Sequence, residues 1–187
     1  MTRGSITPIE VWKGYGTRYH STLHRRDGVT VRLEGGSYNK LGGPVLRVPH
    51  DIVHRVVEHH FGVDAGLWGV LAGGGIVQNA SFVDGRLPPN AVRRATTMTD
   101  RVGEQLRQAE VLVRAVADLS LECRPYDLDG LRAGCGDRWW LPTITADALR
   151  TVQDELQDAA RAWDALAPDE PFAMTWSRPP SKVMAGR

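Results

Sequence analysis

Alternation of apolar and polar residues near the start of the chain predicts β-strands. Two extended runs, Tyr19–Arg25 and Val29–Leu33, flank a short segment that contains Asp27-Gly28. Asp-Gly between such runs is a strong hairpin signal, because glycine readily adopts the positive φ that the turn requires. We predict an earlier strand near Ile6–Lys13, and a last strand over Pro171–Ser177 that returns to the same sheet.

Apolar residues spaced three or four apart predict helices farther along the chain. Pro49 suits the first turn of a helix that ends near Phe61, with Gly62 as its C-terminal cap. A short helix is expected over Ala65–Leu71. One long helix of roughly 40 Å should run from about Pro88 to Leu119.

A second long helix should begin at Thr145, whose hydroxyl suits an N-cap, whereas residues 122–143 read as irregular. The predicted fold class is therefore α+β: a small antiparallel sheet, made of the N-terminal hairpin strands and a C-terminal strand, packs against a layer of helices, two of them long. We expect a single domain over residues 1–178 and a disordered tail over residues 179–187.

Composition narrows the function classes. The chain has 187 residues with 23 Lys+Arg and 22 Asp+Glu, so its formal net charge of +1 gives no global attraction to nucleic acid. The longest uncharged apolar run, Ala65–Val77, is shorter than the roughly 20 residues of a membrane span. No apolar stretch of signal-peptide length stands at the start, so we expect a cytoplasmic protein without membrane or nucleic-acid partners.

The helix predicted after Pro49 carries the candidate chemistry. Its His50 and His54 are four residues apart, so their rings lie on one face and can bind one divalent cation such as zinc. Glu58 continues that stripe one turn later. Asp51 follows His50 directly, an order similar to the His-Glu-x-x-His zinc motif, in which the acid acts as general base. His50, Asp51, His54 and Glu58 are therefore the predicted catalytic residues, and His50 and His54 the predicted metal ligands.

Two ligands do not complete a metal site, since a catalytic zinc takes about three protein ligands. His50 and Glu58 are about 12 Å apart along a helix and cannot both bind one ion, so the pair is His50/His54 or His54/Glu58. The candidates for a third ligand are His20, His24, Asp64, Cys123 and Cys135. His20 and His24 should share one face of a strand because their numbers differ by four.

A structural reading of the same helix stays open. Histidine is common at the border of an apolar stripe, and a core histidine hydrogen-bonded to a carboxylate has the same sequence pattern. His59 and His60 have a simpler interpretation, because positive charge near a helix C-terminus suits the helix dipole.

The stretch PHDIVHRVVEHHFGVDAGLWG also carries a resemblance. It resembles a family of small, functionally unassigned actinobacterial proteins with a Pro-His-Asp-x-x-His-x-x-Val-Glu helix followed by Gly-(Leu/Phe)-Trp-Gly. The resemblance implies no activity. It does imply that the four polar residues of the helix belong with Trp68 and Gly69 to one site or one packed junction.

Two functions follow as hypotheses. The first is a small enzyme that acts on an unknown small molecule through this helix, by metal-assisted hydrolysis or by general acid–base catalysis, with Trp139 and Trp140 in a loop that walls the substrate. The second is a non-catalytic binding or accessory protein that uses the same face, or its long amphipathic helix, to contact a partner. A homodimer is compatible with either.

Overall fold

A five-stranded antiparallel sheet forms one layer of the protein in a computed structural model, which describes residues 6–35, 40–41, 47–121, 127–136 and 144–178. The strands are β1 (Thr7–Lys13), β2 (Tyr19–His24), β3 (Thr30–Gly35), β4 (Lys40–Leu41), β5 (Val48–Pro49), β6 (Ala80–Asp84) and β7 (Pro171–Trp176). The sheet has the order β6-β3-β2-β1-β7, and β4 pairs with β5 separately. The predicted hairpin and the returning C-terminal strand are confirmed, whereas β4, β5 and β6 were not predicted.

The hairpin register follows from its turn and from its apolar face. Gly28 has φ 80°, a value that favours glycine, and β2 pairs with β3 from Tyr19↔Gly35 to His24↔Thr30. Every second residue of β2 is buried. That period places Ser21 and Tyr19 on the face that the helices cover, and it places the intervening residues on the opposite face.

Helices form the second layer. They are α1 (His50–Phe61), α2 (Leu67–Ala72), α3 (Ala91–Arg101), α4 (Gly103–Leu121), α5 (Leu128–Cys135) and α6 (Ala146–Ala165). With 19 and 20 residues, α4 and α6 are the two long helices, and the α+β prediction is confirmed. Within the described ranges, none of the helices combines the length and apolarity needed to cross a bilayer.

The predicted helix from Pro88 to Leu119 is wrong in one respect, because it is interrupted. Val102 leaves helical geometry with φ −111° and ψ 13°, and it separates α3 from α4. At this break Val102 is buried with Ala65 and Val70 in a small apolar cluster of its own. Glycine is a poor helix former, so Gly103 weakens a continuous helix at this point. Burial of Val102 then favours the break over continuation of the helix.

The prediction that residues 122–143 are irregular is also wrong in part. Asp127 caps α5, since its side chain accepts a hydrogen bond from Gly130 N at 2.9 Å, and Leu131 packs into the core. The proposed wall of Trp139 and Trp140 and the predicted tail over residues 179–187 lie outside the described residues.

Helix α1 occupies the centre of the molecule. It packs against both α4 and α6, and its buried residues join the sheet residues in one hydrophobic core. Eight of its twelve residues are buried, including three that can carry charge. Those three polar residues therefore lie where only tertiary partners can satisfy them.

Candidate metal centre

Helix α1 begins and ends at the residues predicted from the sequence, Pro49 and Gly62. The helix begins directly after Pro49, and Gly62 closes it in the left-handed conformation at φ 75°, with its N–H bonded to Glu58 O. Between these ends the helix brings the rings of His50 and His54 together, with centroids 4.2 Å apart. The two histidines therefore lie on one face of the helix, as predicted.

Glu110 of α4 completes a triangle of ligand atoms with these histidines. The two Nε2 atoms lie 3.0 Å apart, and Glu110 Oε2 lies 3.1 Å from His50 Nε2 and 3.3 Å from His54 Nε2. Among the described residues, these three are the group of histidine, cysteine and acidic side chains that could hold one metal ion.

The edges of this triangle match the dimensions of a mononuclear site. Metal–ligand bonds of about 2.0–2.1 Å give ligand–ligand distances of about 2.9 Å at right angles and about 3.3 Å at tetrahedral angles. The observed edges of 3.0, 3.1 and 3.3 Å span that range. Two histidines and one carboxylate leave coordination positions open for water or substrate, as in catalytic zinc sites.

Glu58 lies behind His54, on the side of the ring opposite the triangle. Its Oε1 accepts a hydrogen bond from His54 Nδ1 at 2.6 Å, and both residues are fully buried. The same carboxylate accepts the backbone N–H groups of Leu67 at 2.6 Å and Trp68 at 3.0 Å, at the start of α2. A carboxylate behind a ligating histidine fixes the ring and its tautomer, leaving Nε2 free to bind metal.

Asp51 has the corresponding place behind His50. Its carboxylate accepts hydrogen bonds from Ser21 Oγ at 2.5 Å and Tyr19 OH at 3.3 Å, and its Oδ1 lies 3.8 Å from His50 Nδ1. Trp68 Nε1 also donates to Asp51 O at 2.8 Å. This position favours an orienting role for Asp51 over the general-base role that the motif predicted, because the carboxylate is hydrogen-bonded to the sheet and approaches Nδ1 of His50, whereas Nε2 faces the triangle.

Electrostatics inside the cluster stabilise the contacts between imidazole and carboxylate. Burial alone would lower the pKa of His54, but hydrogen bonds with Glu110 and Glu58 outweigh it and raise that pKa to about 10. Burial would raise the pKa of Glu110, whereas hydrogen bonds with both histidines hold it well below its usual range. Burial and the Asp51 charge raise the pKa of Tyr19, so its hydroxyl keeps its proton and donates a hydrogen bond to Asp51. Metal at the triangle would displace the proton that the cluster otherwise holds.

None of the described candidates for the third ligand lies in the triangle. His20 stacks on Trp12, and His24 lies near Glu10, both on the sheet face that the helices leave uncovered. Asp64 pairs with Arg178, and Cys135 is a buried core residue. The prediction that His20 and His24 share one face of a strand is correct, but this face is the one that points away from α1. Cys123 lies outside the described residues.

Glu110 is the candidate ligand that sequence reasoning missed. On the sequence it is one of several acids that alternate with arginines along a long amphipathic helix, a pattern typical of a solvated face. A local signal does exist: Glu110 lies next to Ala109 on the border of the buried stripe of α4. That signal shows only that Glu110 is near the core, since the pairing of α4 with α1 is a property of the tertiary fold.

Comparison with known proteins adds no assignment. The chain matches no protein-family model, no curated protein and no solved structure. The resemblance to the actinobacterial family stays a prediction. The geometry of the triangle and its surroundings therefore carries the functional argument.

Proposed function

We propose that this protein is a metal-dependent enzyme that binds one divalent transition metal, such as zinc, through His50, His54 and Glu110, and that it hydrolyses a small molecule there. The observation that carries the proposal is the triangle of two imidazole nitrogens and one carboxylate oxygen with edges of 3.0–3.3 Å. A metal with this ligand set would supply Lewis acidity and a bound water that ionises near neutral pH.

The residues around the triangle support a working site. Both acids behind the histidines are buried. Glu58 is hydrogen-bonded to the ring of His54, and Asp51 lies near the ring of His50. The cluster is also accessible from one side, because the side chain of His50 is 22% exposed and that of Glu110 is 47% exposed, whereas His54 is fully enclosed. Substrate would therefore approach from the side of His50 and Glu110.

A metal-free acid–base site is the second candidate, and two observations favour it. The distances within the triangle are also those of hydrogen bonds, and the contacts with two carboxylates raise the pKa of His54 to about 10. In that case His50 and Glu110 would exchange a proton with a bound molecule, and the cluster would bind no metal.

Zinc titration of untagged, chelator-treated protein by calorimetry separates the two candidates. We expect one zinc per chain for the unmodified protein, and no saturable binding for His50→Ala, His54→Ala or Glu110→Ala. The matched controls are His24→Ala and Glu104→Ala, which remove the same residue types from exposed positions. Absence of stoichiometric binding of zinc, manganese, iron, cobalt, nickel or copper to the unmodified protein would refute the metal site and leave the acid–base candidate.

Binding alone does not distinguish an enzyme from a metal-binding accessory protein. The second measurement is hydrolysis of simple activated esters by zinc-loaded protein, with the Glu110→Ala protein as the reference. Stoichiometric zinc binding together with equal hydrolysis rates in the two proteins would favour the accessory function.

A further inference from the structure

A cavity of about 340 Å³ adjoins the triangle on its accessible side. His50 and Glu110 form its polar end. The rest of its lining combines four aliphatic side chains, Leu33, Leu67, Val77 and Leu106, with the polar residues Asp51, Gln78 and Asn79. A molecule in this space would therefore contact the proposed metal and an apolar surface at the same time.

Two of the aliphatic wall residues are tied closely to the candidate ligands. Leu106 precedes Glu110 by one helical turn, so the two side chains share one face of α4. Leu67 is the residue whose backbone N–H binds Glu58 behind His54. These two walls are thus fixed relative to the triangle by α4 and by the contact that orients His54.

The charges around the cavity are of one sign. Apart from His50, the ionisable residues among its described walls are the acids Asp51 and Glu110, and no described lysine or arginine lines it. The two acids would offset the two positive charges of the proposed metal, and the walls offer an anionic group no guanidinium or ammonium partner in exchange for its lost hydration. The size is at the lower end of ligand pockets, about 300–1,000 Å³, which suits one ring or a short acyl chain.

We propose that the substrate is a small uncharged carbonyl compound, of ester or amide type, whose carbonyl oxygen binds the metal and whose apolar portion packs against Leu33, Leu67, Val77 and Leu106. This inference rests on the proposed metal site and adds the substrate class to it. It excludes phosphate esters and other anions as the preferred substrates.

Two hydroxamic acids serve as probes because they present the same pair of oxygen donors to a metal. Benzohydroxamic acid adds a ring that fits the cavity, whereas acetohydroxamic acid has only a methyl group. By calorimetry on zinc-loaded protein we expect the first to bind at least about tenfold more tightly, since burial of a ring contributes more than the roughly 1.4 kcal/mol that corresponds to tenfold. Inorganic phosphate should bind more weakly than either.

Two wall variants test whether the cavity causes this preference. Leu106→Gln keeps the size of the side chain but makes the wall polar, and Val77→Thr changes one methyl group to a hydroxyl. Either should reduce the ratio of the two affinities by several fold and leave zinc affinity unchanged. Leu87→Gln is the matched control, because Leu87 is 40% exposed and does not line this cavity.

The outcomes separate this inference from the proposal beneath it. Stoichiometric zinc binding with equal affinities for the two hydroxamic acids, or with phosphate bound most tightly, would overturn the substrate class and leave the metal site intact. Failure to bind zinc would overturn both. An unchanged affinity ratio in both wall variants would show that the ring binds elsewhere, which also contradicts the inference.

Discussion

Helices α1 and α3 have nearly the same length, 12 and 11 residues, and both are rich in polar side chains, yet their surroundings are opposite. Helix α1 buries eight residues, among them Asp51, His54 and Glu58, whereas α3 buries only Ala95. Each buried polar side chain of α1 is hydrogen-bonded to another element or within the cluster.

The arginines of α3 show the contrast most clearly. Within the described part of the chain, the side chains of Arg93, Arg94 and Arg101 make no hydrogen bond or ion pair, while those of Arg107 and Arg114 on the next helix each pair with an acid one turn away. Polar residues at helical spacing therefore do not by themselves indicate a functional site. What makes α1 a candidate site is that its polar groups are buried or partly buried, have partners, and are arranged around His50 and His54.

The largest expected effect concerns the junction that holds Glu58. A Cβ on Gly69 would lie 2.0 Å from the backbone oxygen of Asp64, which cannot move without displacing the turn between α1 and α2. Gly69→Ala should therefore lower the free energy of unfolding by about 3 kcal/mol. Urea denaturation of the metal-free protein measures this change.

Gly134→Ala on α5 is the matched control, since the nearest atom to its Cβ would be Ala115 Cβ at an ordinary 3.6 Å. That variant should be neutral or up to about 1 kcal/mol more stable, because alanine is the better helix former. Equal stability of the two variants would show that the α1–α2 junction is looser than its contacts indicate.

The next effect concerns the acceptor oxygens of Glu58. Glu58→Gln keeps the shape of the side chain but replaces one acceptor oxygen with a donor among three groups that donate, His54 Nδ1 and the N–H groups of Leu67 and Trp68. We expect a loss of about 2 kcal/mol of stability and about 10–100-fold weaker zinc binding. Glu104→Gln, the same change on an exposed part of α4, should alter neither quantity. Unchanged zinc affinity in Glu58→Gln would contradict the orienting role.

The difference between the two helices also explains what the sequence could predict. The ends of α1 follow from Pro49 and Gly62, and the approach of His50 to His54 follows from their spacing, because both are local properties of a helix. The hairpin at Gly28 is local in the same sense. These predictions needed no knowledge of how the elements pack.

The role of Glu110 could not be predicted without knowing how the elements pack. Glu110 is 60 residues from His50 along the chain, and only the packing of α4 on α1 brings the two together. The interruption at Val102 has the same origin, since burial in a cluster with Val70 overrides the helical pattern on either side. Asp51 was placed beside the metal by analogy with a motif, but the sheet residue Ser21, 30 positions away, determines where its carboxylate lies.

A smaller effect is expected at Ser21. Its hydroxyl is buried and donates to Asp51 Oδ2 at 2.5 Å, so Ser21→Ala leaves a buried carboxylate with one donor fewer. Stability should fall by about 1–2 kcal/mol. Ser81→Ala, at an exposed position of β6, should leave it unchanged. If Asp51 also orients His50, zinc affinity should fall in Ser21→Ala and stay constant in the control, and a stability change without an affinity change would limit Asp51 to a structural role.

The smallest effect is expected on α3. The side chain of Arg93 is exposed and makes no hydrogen bond or ion pair among the described residues, so Arg93→Ala should change the free energy of unfolding by less than about 0.5 kcal/mol. Arg55→Ala on α1 is the contrasting variant, because Arg55 donates to Glu155 at 2.5 Å and to Thr175 O at 3.1 Å, and its side chain is 19% exposed. Removal of these contacts should cost about 1 kcal/mol, since the ion pair is only partly buried and water can replace some of it. Thermal melts of both variants at one ionic strength measure the difference. A loss in Arg93→Ala equal to that in Arg55→Ala would show that α3 has contacts that its exposed arginines do not reveal, and the contrast between the two helices would then fail.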